Sequence, residues 1–223
     1  MTTRDRVLAA LEAVYDPELD EPITRLGFVG RCDVTAAGDV AVLLRLPTTQ
    51  CAPNFAWLMV ADARARVRAL PGVGTVTVVL DEHCTATQIN AAETFAAAFP
   101  GETTGDVEAL RELFRRKALL ARQGRVCDEL LAAGATAAEV VGLQVSHLPD
   151  GPEAQRCLAL RRELGLPAGP DSPALVAGDG SPLRAGELDR WRRRARLVGV
   201  SLESNGGLCR SLLANRYREE AAA

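Results

Sequence analysis

A chain of 223 residues is long enough to bury a sizeable core, as one large domain or two small ones. Its 48% apolar and 25% charged residues suit a globular protein, and a net charge of −3 speaks against a general nucleic-acid binder. No apolar run reaches about 18 residues, so no membrane span is expected, and the N-terminal "MTTRDRVLAALEAVYDPE" lacks a secretion signal, which points to the cytoplasm.

The first predicted element is an amphipathic helix capped at Thr2 with Asp5 three residues on, its apolar face Val7, Leu8, Leu11, Val14 and Tyr15, stopped by Pro17. "DPELDEP" follows as an acidic connection. "LGFVGRCDV" and "DVAVLLRL" read as two strands of a hairpin turning at Ala37-Gly38-Asp39. After "PTTQCAPN" a helix is predicted from about Ala52 to Leu70, with Phe55, Leu58, Met59, Ala63 and Val67 on its apolar face and Pro71-Gly72 as its stop. "GTVTVVLD" is a third strand, "EHC" the loop after it, and "TATQINAAETFAAAF" is helical.

"PGETTGD" is a turn-rich domain boundary, giving domains 1–100 and 101–223. The second is predicted mostly helical. It has a long helix from Val107 that breaks at Gly124, a helix capped by Thr136, and another in "GPEAQRCLALRRELGL". In the tail, "SPALVAGDGSPLRA" reads as a hairpin, "ELDRWRRRARL" as a helix and "VGVSLES" as a strand. Gly206-Gly207 reads as a turn before a last helix with Cys209 in its first turn. The fold class is therefore α+β: a small α/β sandwich of order α-β-β-α-β with a mainly helical C-terminal domain carrying a short β element.

That order has a chemical consequence. In a hairpin the start of the first strand lies beside the end of the second, and a right-handed crossover through the helix brings the end of the third strand to the same edge. Three segments should converge there: the acidic loop with Asp16 and Glu18, the turn with Thr48, Thr49 and Cys51, and the loop with Asp81, Glu82, His83 and Cys84. Cys51 would stand at a helix start, where the partial positive charge favours a thiolate, with threonine hydroxyls to donate to it. Cys51, Cys84 and His83 are the soft donors of that edge and the candidate metal ligands. Three donors fit an exchangeable site better than a closed one, and thiolates with imidazole suit iron–sulfur and zinc sites alike. The other cysteines, Cys32, Cys127, Cys157 and Cys209, form no CxxC pair and read as buried thiols in a reducing compartment.

The same residues carry a resemblance. Asp16-Pro17-Glu18-Leu19, Leu26-Gly27-Phe28-Val29, Thr48-Thr49-Gln50-Cys51 and the strand from Gly72-Val73 through Val79 resemble, in order, the motifs of the iron–sulfur cluster assembly domain of PaaD-like and SufT-like proteins. The resemblance covers roughly residues 4–90. It differs from the family pattern at Pro47, where a threonine is usual, at Ala52, which separates Cys51 from Pro53, and in the loop "EHCTATQIN". It implies a maturation factor rather than an enzyme, one that assembles or delivers iron or a cluster to a client metalloenzyme. It also implies Cys51 as the functional residue and the DPE acids as lining of the site. Partners are then the client or other assembly proteins, a homo-oligomer being compatible, with no specific nucleic acid and no membrane.

Two other readings stand beside this one. A metal-free interaction or chaperone module would use acidic "DPELDE" and arginine-rich "DRWRRRAR" as contact surfaces. An enzyme would use Cys51 as nucleophile, His83 as base, and Asp81 or Asp16 to orient it.

Overall fold

The computed structural model describes residues 3–102 and 104–218. In chain order the elements are α1 (Arg4–Leu11), β1 (Tyr15–Asp16), β2 (Glu21–Pro22), β3 (Val29–Val34), β4 (Val40–Arg45), α2 (Pro53–Arg68) and β5 (Val76–Asp81). Then come α3 (Ala86–Ala91), α4 (Phe95–Ala98), α5 (Thr104–Ala132), α6 (Ala137–Gly142), α7 (Pro152–Glu163) and α8 (Leu188–Arg216). The chain divides into two compact units, one of Met1–Ala109 with Glu203–Ala223, the other of Leu110–Leu202. The architecture is α+β, and no described helix is long and apolar enough to cross a membrane.

The first unit is built on the sheet β3-β4-β5, antiparallel between β3 and β4 and parallel between β4 and β5. Alternating apolar residues put Val40, Val42 and Leu44 of β4, and Val78 and Leu80 of β5, into the core. There they meet Val7 and Leu11 of α1, and Met59, Ala63 and Val67 of α2. The hairpin turn needs its glycine: Gly38 has φ +90°, and a Cβ there would lie 2.6 Å from the Gly72 carbonyl oxygen. Asp39 Oδ1 accepts from the Thr75 amide at 2.7 Å, tying the start of β5 to that turn. A second apolar cluster joins Leu58 to Phe95 and Val107, with Phe55 and Trp57 at its margin.

Three N-terminal expectations need correction. The Thr2 cap lies outside the described residues; Thr3 caps α1, its Oγ1 accepting from the Arg6 amide. The helix ends at Leu11 rather than at Pro17, because Val14 turns to pair with Ile23 (N···O 2.9 Å) and the "DPELDEP" connection folds into the β1–β2 ladder, Tyr15 opposite Pro22. The helical stretch after β5 is split into α3 and α4, with Ala92 extended between them at φ −107° and ψ 140°.

In the second unit Leu119, Val126, Cys127, Val140, Cys157, Leu160, Leu175 and Leu188 form the core. Fully buried Arg161 donates to the carbonyls of Pro167, Pro173 and Ala174, so its charge is solvated by backbone oxygens instead of water. Thr136 caps α6 in a capping box with Glu139. The predicted tail hairpin is a tight turn with one bridge, Val176 to Pro182. α5 does not break at Gly124: the missing side chain lets α8 approach, since a Cβ there would stand 2.7 Å from Cβ of Ala195.

The largest correction is in the tail. "VGVSLES" is helical, and Gly206-Gly207 lies inside the continuous 29-residue α8. Valines at 198 and 200 suggest a strand locally, but packing overrides that preference. Gly206 allows close approach rather than a turn, for a Cβ there would sit 2.9 Å from Glu21 Oε2.

Candidate functional site

Register fixes the edge where chemistry gathers. Leu44 pairs with Leu80 and Arg45 with Asp81, so β4 and β5 finish side by side. The Arg45 amide donates to the Phe28 carbonyl (2.8 Å), bringing the start of β3 to the same end. Leu46 and Pro47 are buried, and the chain then turns through Thr48–Ala52 into α2. Pro53 in its first turn suits a residue with no amide hydrogen to leave unsatisfied.

In that turn Thr48 Oγ1 accepts from the Gln50 amide (3.2 Å) and lies 3.4 Å from Cys51 Sγ, so its own hydrogen is available to the sulfur. Cys51 is half-buried against the main core. Two bonds clip the loop after β5 onto the turn. The Cys84 amide donates to the Thr49 carbonyl (3.0 Å), and His83 Nε2 donates to the Cys51 carbonyl (2.7 Å). His83, 7% exposed, completes its bonding at Nδ1, which accepts from the Thr85 amide (3.2 Å) and lies 3.0 Å from Thr85 Oγ1. Its role is therefore to brace the Cys51 turn.

Asp16 is 8% exposed, with Oδ1 accepting from the amides of Glu18 (2.8 Å) and Leu19 (3.0 Å). Burial outweighs those two bonds and, with the charge of Glu18, pushes its carboxyl up to about 6. Glu18 is exposed. Asp81 pairs with Arg45 (3.6 Å), and Glu82, whose backbone has φ 44°, offers both its carbonyl and its carboxylate to Arg216.

Arg216 belongs to a layer the sequence reading did not anticipate. Gly206, Cys209, Arg210, Leu213, Arg216 and Tyr217 share one face of the C-terminal helical stretch, in the part of it that belongs to the first unit. Arg210 binds Glu21 (2.5 Å) and Leu213 packs on Gly27, which has φ +78°. Arg216 donates to the Leu46 carbonyl (3.0 Å) and to the Glu82 carbonyl (2.6 Å), and Tyr217 lies under the Arg45 guanidinium (4.6 Å). Cys209, between these anchors, is half-buried on the core that also receives Cys51. Burial first, then the charges of Asp16, Cys51 and Glu18, push its thiol up to about 11. The spacing 206, 209, 210, 213, 216, 217 was the available signal for this face.

The three nominated metal donors are not gathered as a set. Both ring nitrogens of His83 are engaged, Cys84 is exposed, and among the described residues no three or more His, Cys, Asp or Glu side chains stand together as a metal-binding group. Nothing of the closed four-donor kind used for structural zinc is formed among them. The nucleophile–base pair of the enzymatic reading is not formed either, because His83 bonds the Cys51 carbonyl rather than its sulfur.

Comparison with known proteins bears on this edge. Residues 4–78 match the family model described as iron–sulfur cluster assembly protein. A relative in Porphyromonas gingivalis (strain ATCC BAA-308 / W83), named Fe-S protein maturation auxiliary factor, is 32% identical over 81 residues, 36% of this chain and 74% of the relative. The chain belongs to the iron–sulfur cluster assembly protein family. No solved structure matches it. The family match of this assembly protein spans α1 through the first half of β5, so the Cys51 turn falls inside it, while the loop with His83 and Cys84 and the face carrying Cys209 fall outside.

Proposed function

We propose that this assembly-family protein is an auxiliary factor of iron–sulfur maturation that takes iron or a cluster as cargo on the Cys51 thiolate and passes it to a client metalloenzyme. The observation that carries the reading is the setting of Cys51. Its sulfur stands on the strand-to-helix turn inside the family-matched segment, half-buried and 3.4 Å from a threonine hydroxyl, on a backbone braced by His83. A thiolate is the donor that iron and its clusters favour, and an incomplete donor set leaves positions through which cargo can be exchanged. The name of the P. gingivalis relative supports the auxiliary role.

A second reading, a metal-free interaction module, is favoured by the lack of a three-donor group among the described residues. One experiment separates the two. Wild type and Cys51→Ser are purified anaerobically and assayed for iron, acid-labile sulfide and visible absorption before and after reconstitution. Cluster or iron bound by wild type and lost in Cys51→Ser supports cargo handling. No binding by either, with equal retention of a client in pull-down, supports the module.

A further inference from the structure

We infer that the exposed face of α8 at Arg193, Arg196, Leu197 and Val200 docks an acidic amphipathic helix of a protein partner, its carboxylates on the two arginines and its apolar residues on the leucine and valine. The face lies wholly in the second unit and outside the family-matched segment, so the inference does not depend on the cargo role of Cys51.

Positions 193, 196, 197 and 200 follow the i, i+3, i+4, i+7 spacing that places side chains on one helix face. All four residues are exposed, Leu197 at 73% and Val200 at 56%. The inner side of this stretch is satisfied within the unit: Leu188 and Ala195 are buried, Trp191 packs on the core, and Arg192 binds Asp128 of α5 (2.6 Å). A lone surface leucine calls for no explanation, but an aliphatic pair one turn apart and beside arginines is the make-up of a contact surface.

Charge selects the occupant. Between 188 and 200 five arginines stand against Asp189 alone. Arg192 is engaged by Asp128, whereas among the described residues the guanidinium groups of Arg190, Arg193, Arg194 and Arg196 form no hydrogen bond or ion pair. Like charges three and four residues apart on a helix repel, and carboxylates of a partner remove that repulsion and match the arginine fork. Arg193 and Arg196 also border a cleft of about 200 Å³ whose other walls are Asp128, Asp189 and Arg192. The two aspartates oppose a continuous run of phosphates, and a nucleic-acid backbone has no apolar counterpart for Leu197 and Val200. Two aliphatic residues without an aromatic beside them bury little in a lipid surface. A second copy of the same face would set arginine against arginine. An acidic helix with apolar residues at matching spacing satisfies both halves of the face.

The probe is a fluorescein-labelled helical peptide of about 20 residues, with leucine at i, i+3, i+4 and i+7 and glutamate at the flanking positions. Its binding to the full-length protein is read by fluorescence anisotropy, beside a peptide with lysine for glutamate, a DNA duplex and phosphatidylglycerol vesicles. The variants are Arg193→Glu/Arg196→Glu and Leu197→Ser/Val200→Ser. Expected are saturable binding of the glutamate peptide that weakens with salt, none of the lysine peptide, and binding weaker by about tenfold or more in each double variant. Phenylglyoxal modification of wild type, mapped by mass spectrometry with and without the glutamate peptide, needs no variant to fold; protection of Arg193 and Arg196 is expected. No binding, binding unchanged in both double variants, or preference for the duplex or the vesicles overturns the inference. So does a dimer in solution that Leu197→Ser/Val200→Ser dissociates, since the face would then be covered by a second copy. Each of these outcomes leaves the reconstitution result for Cys51 as it stands.

Discussion

The Asp16 carboxyl is costly to the fold, and replacing it with asparagine should stabilise the protein in a pH-dependent way. Its pKa stands at about 6 in the folded state against 3.8 for an unperturbed aspartate, because burial penalises the charge more than the Glu18 and Leu19 amides favour it. Between those values the folded chain holds a proton that the unfolded chain has lost, so stability falls as pH rises through this window. Below about pH 4 both states are protonated and nothing is lost; above about pH 6 the full penalty applies. A shift of roughly two units corresponds to about 3 kcal/mol. Asp16→Asn keeps an oxygen to accept both amides and removes the charge. The variant should therefore match wild type near pH 4 and exceed it by up to about 3 kcal/mol at pH 7.5. Urea unfolding of the metal-free protein, in a Trp191→Phe background so that Trp57 reports on the first unit, measures the difference across the range. A variant less stable than wild type at pH 7.5, or a gap that does not change with pH, would refute the reasoning.

Other consequences can be checked separately. Arg216→Ala removes donors to the Leu46 and Glu82 carbonyls from a side chain only 18% exposed, and should cost about 1–3 kcal/mol locally, read as faster amide exchange over residues 206–217 with little change in the second unit. Leu58→Ala, at a side chain with no exposure, should destabilise by about 2–5 kcal/mol in Trp57-detected unfolding. Gly124→Val pushes atoms into Ala195 and should cost about 1–3 kcal/mol or more in unfolding followed by Trp191 in a Trp57→Phe background. Cys127 and Cys157, buried and pushed up to about 11 by that burial, should resist iodoacetamide at pH 8 in the native protein, while exposed Cys84 reacts; mass spectrometry of the labelled peptides decides.

The parts of this fold that follow from nearby residues were legible in the sequence. Alternation in "DVAVLLRL" and "GTVTVVLD", the glycine turn at Gly38 and the proline boundaries of α2 give the β-β-α-β order, and handedness brings Thr49 beside Cys84 and Cys51 beside His83. Which atoms meet was beyond that reading. Periodicity places His83 near Cys51 but does not tell whether the ring faces the sulfur or the carbonyl, and the carbonyl wins because the histidine is needed to close a loop. The α8 face was hidden for another reason. Val198, Val200 and the Gly206-Gly207 pair carry local signals for strand and turn, whereas the helix is held by partners far away in sequence: Glu21, Gly27, Leu46 and Glu82.

That Glu203 and the residues after it group with Met1–Ala109 sets a condition on the order in which the molecule is completed. On the ribosome the residues of the sheet, the Cys51 turn and the His83 brace emerge first, before Leu213, Arg216 and Tyr217 are made. Until they are, Gly27 lacks its apolar cover and the Leu46 and Glu82 carbonyls lack their arginine. The nascent chain thus passes through a stage in which the Cys51 edge is open, and it closes only when the last helical turns are released.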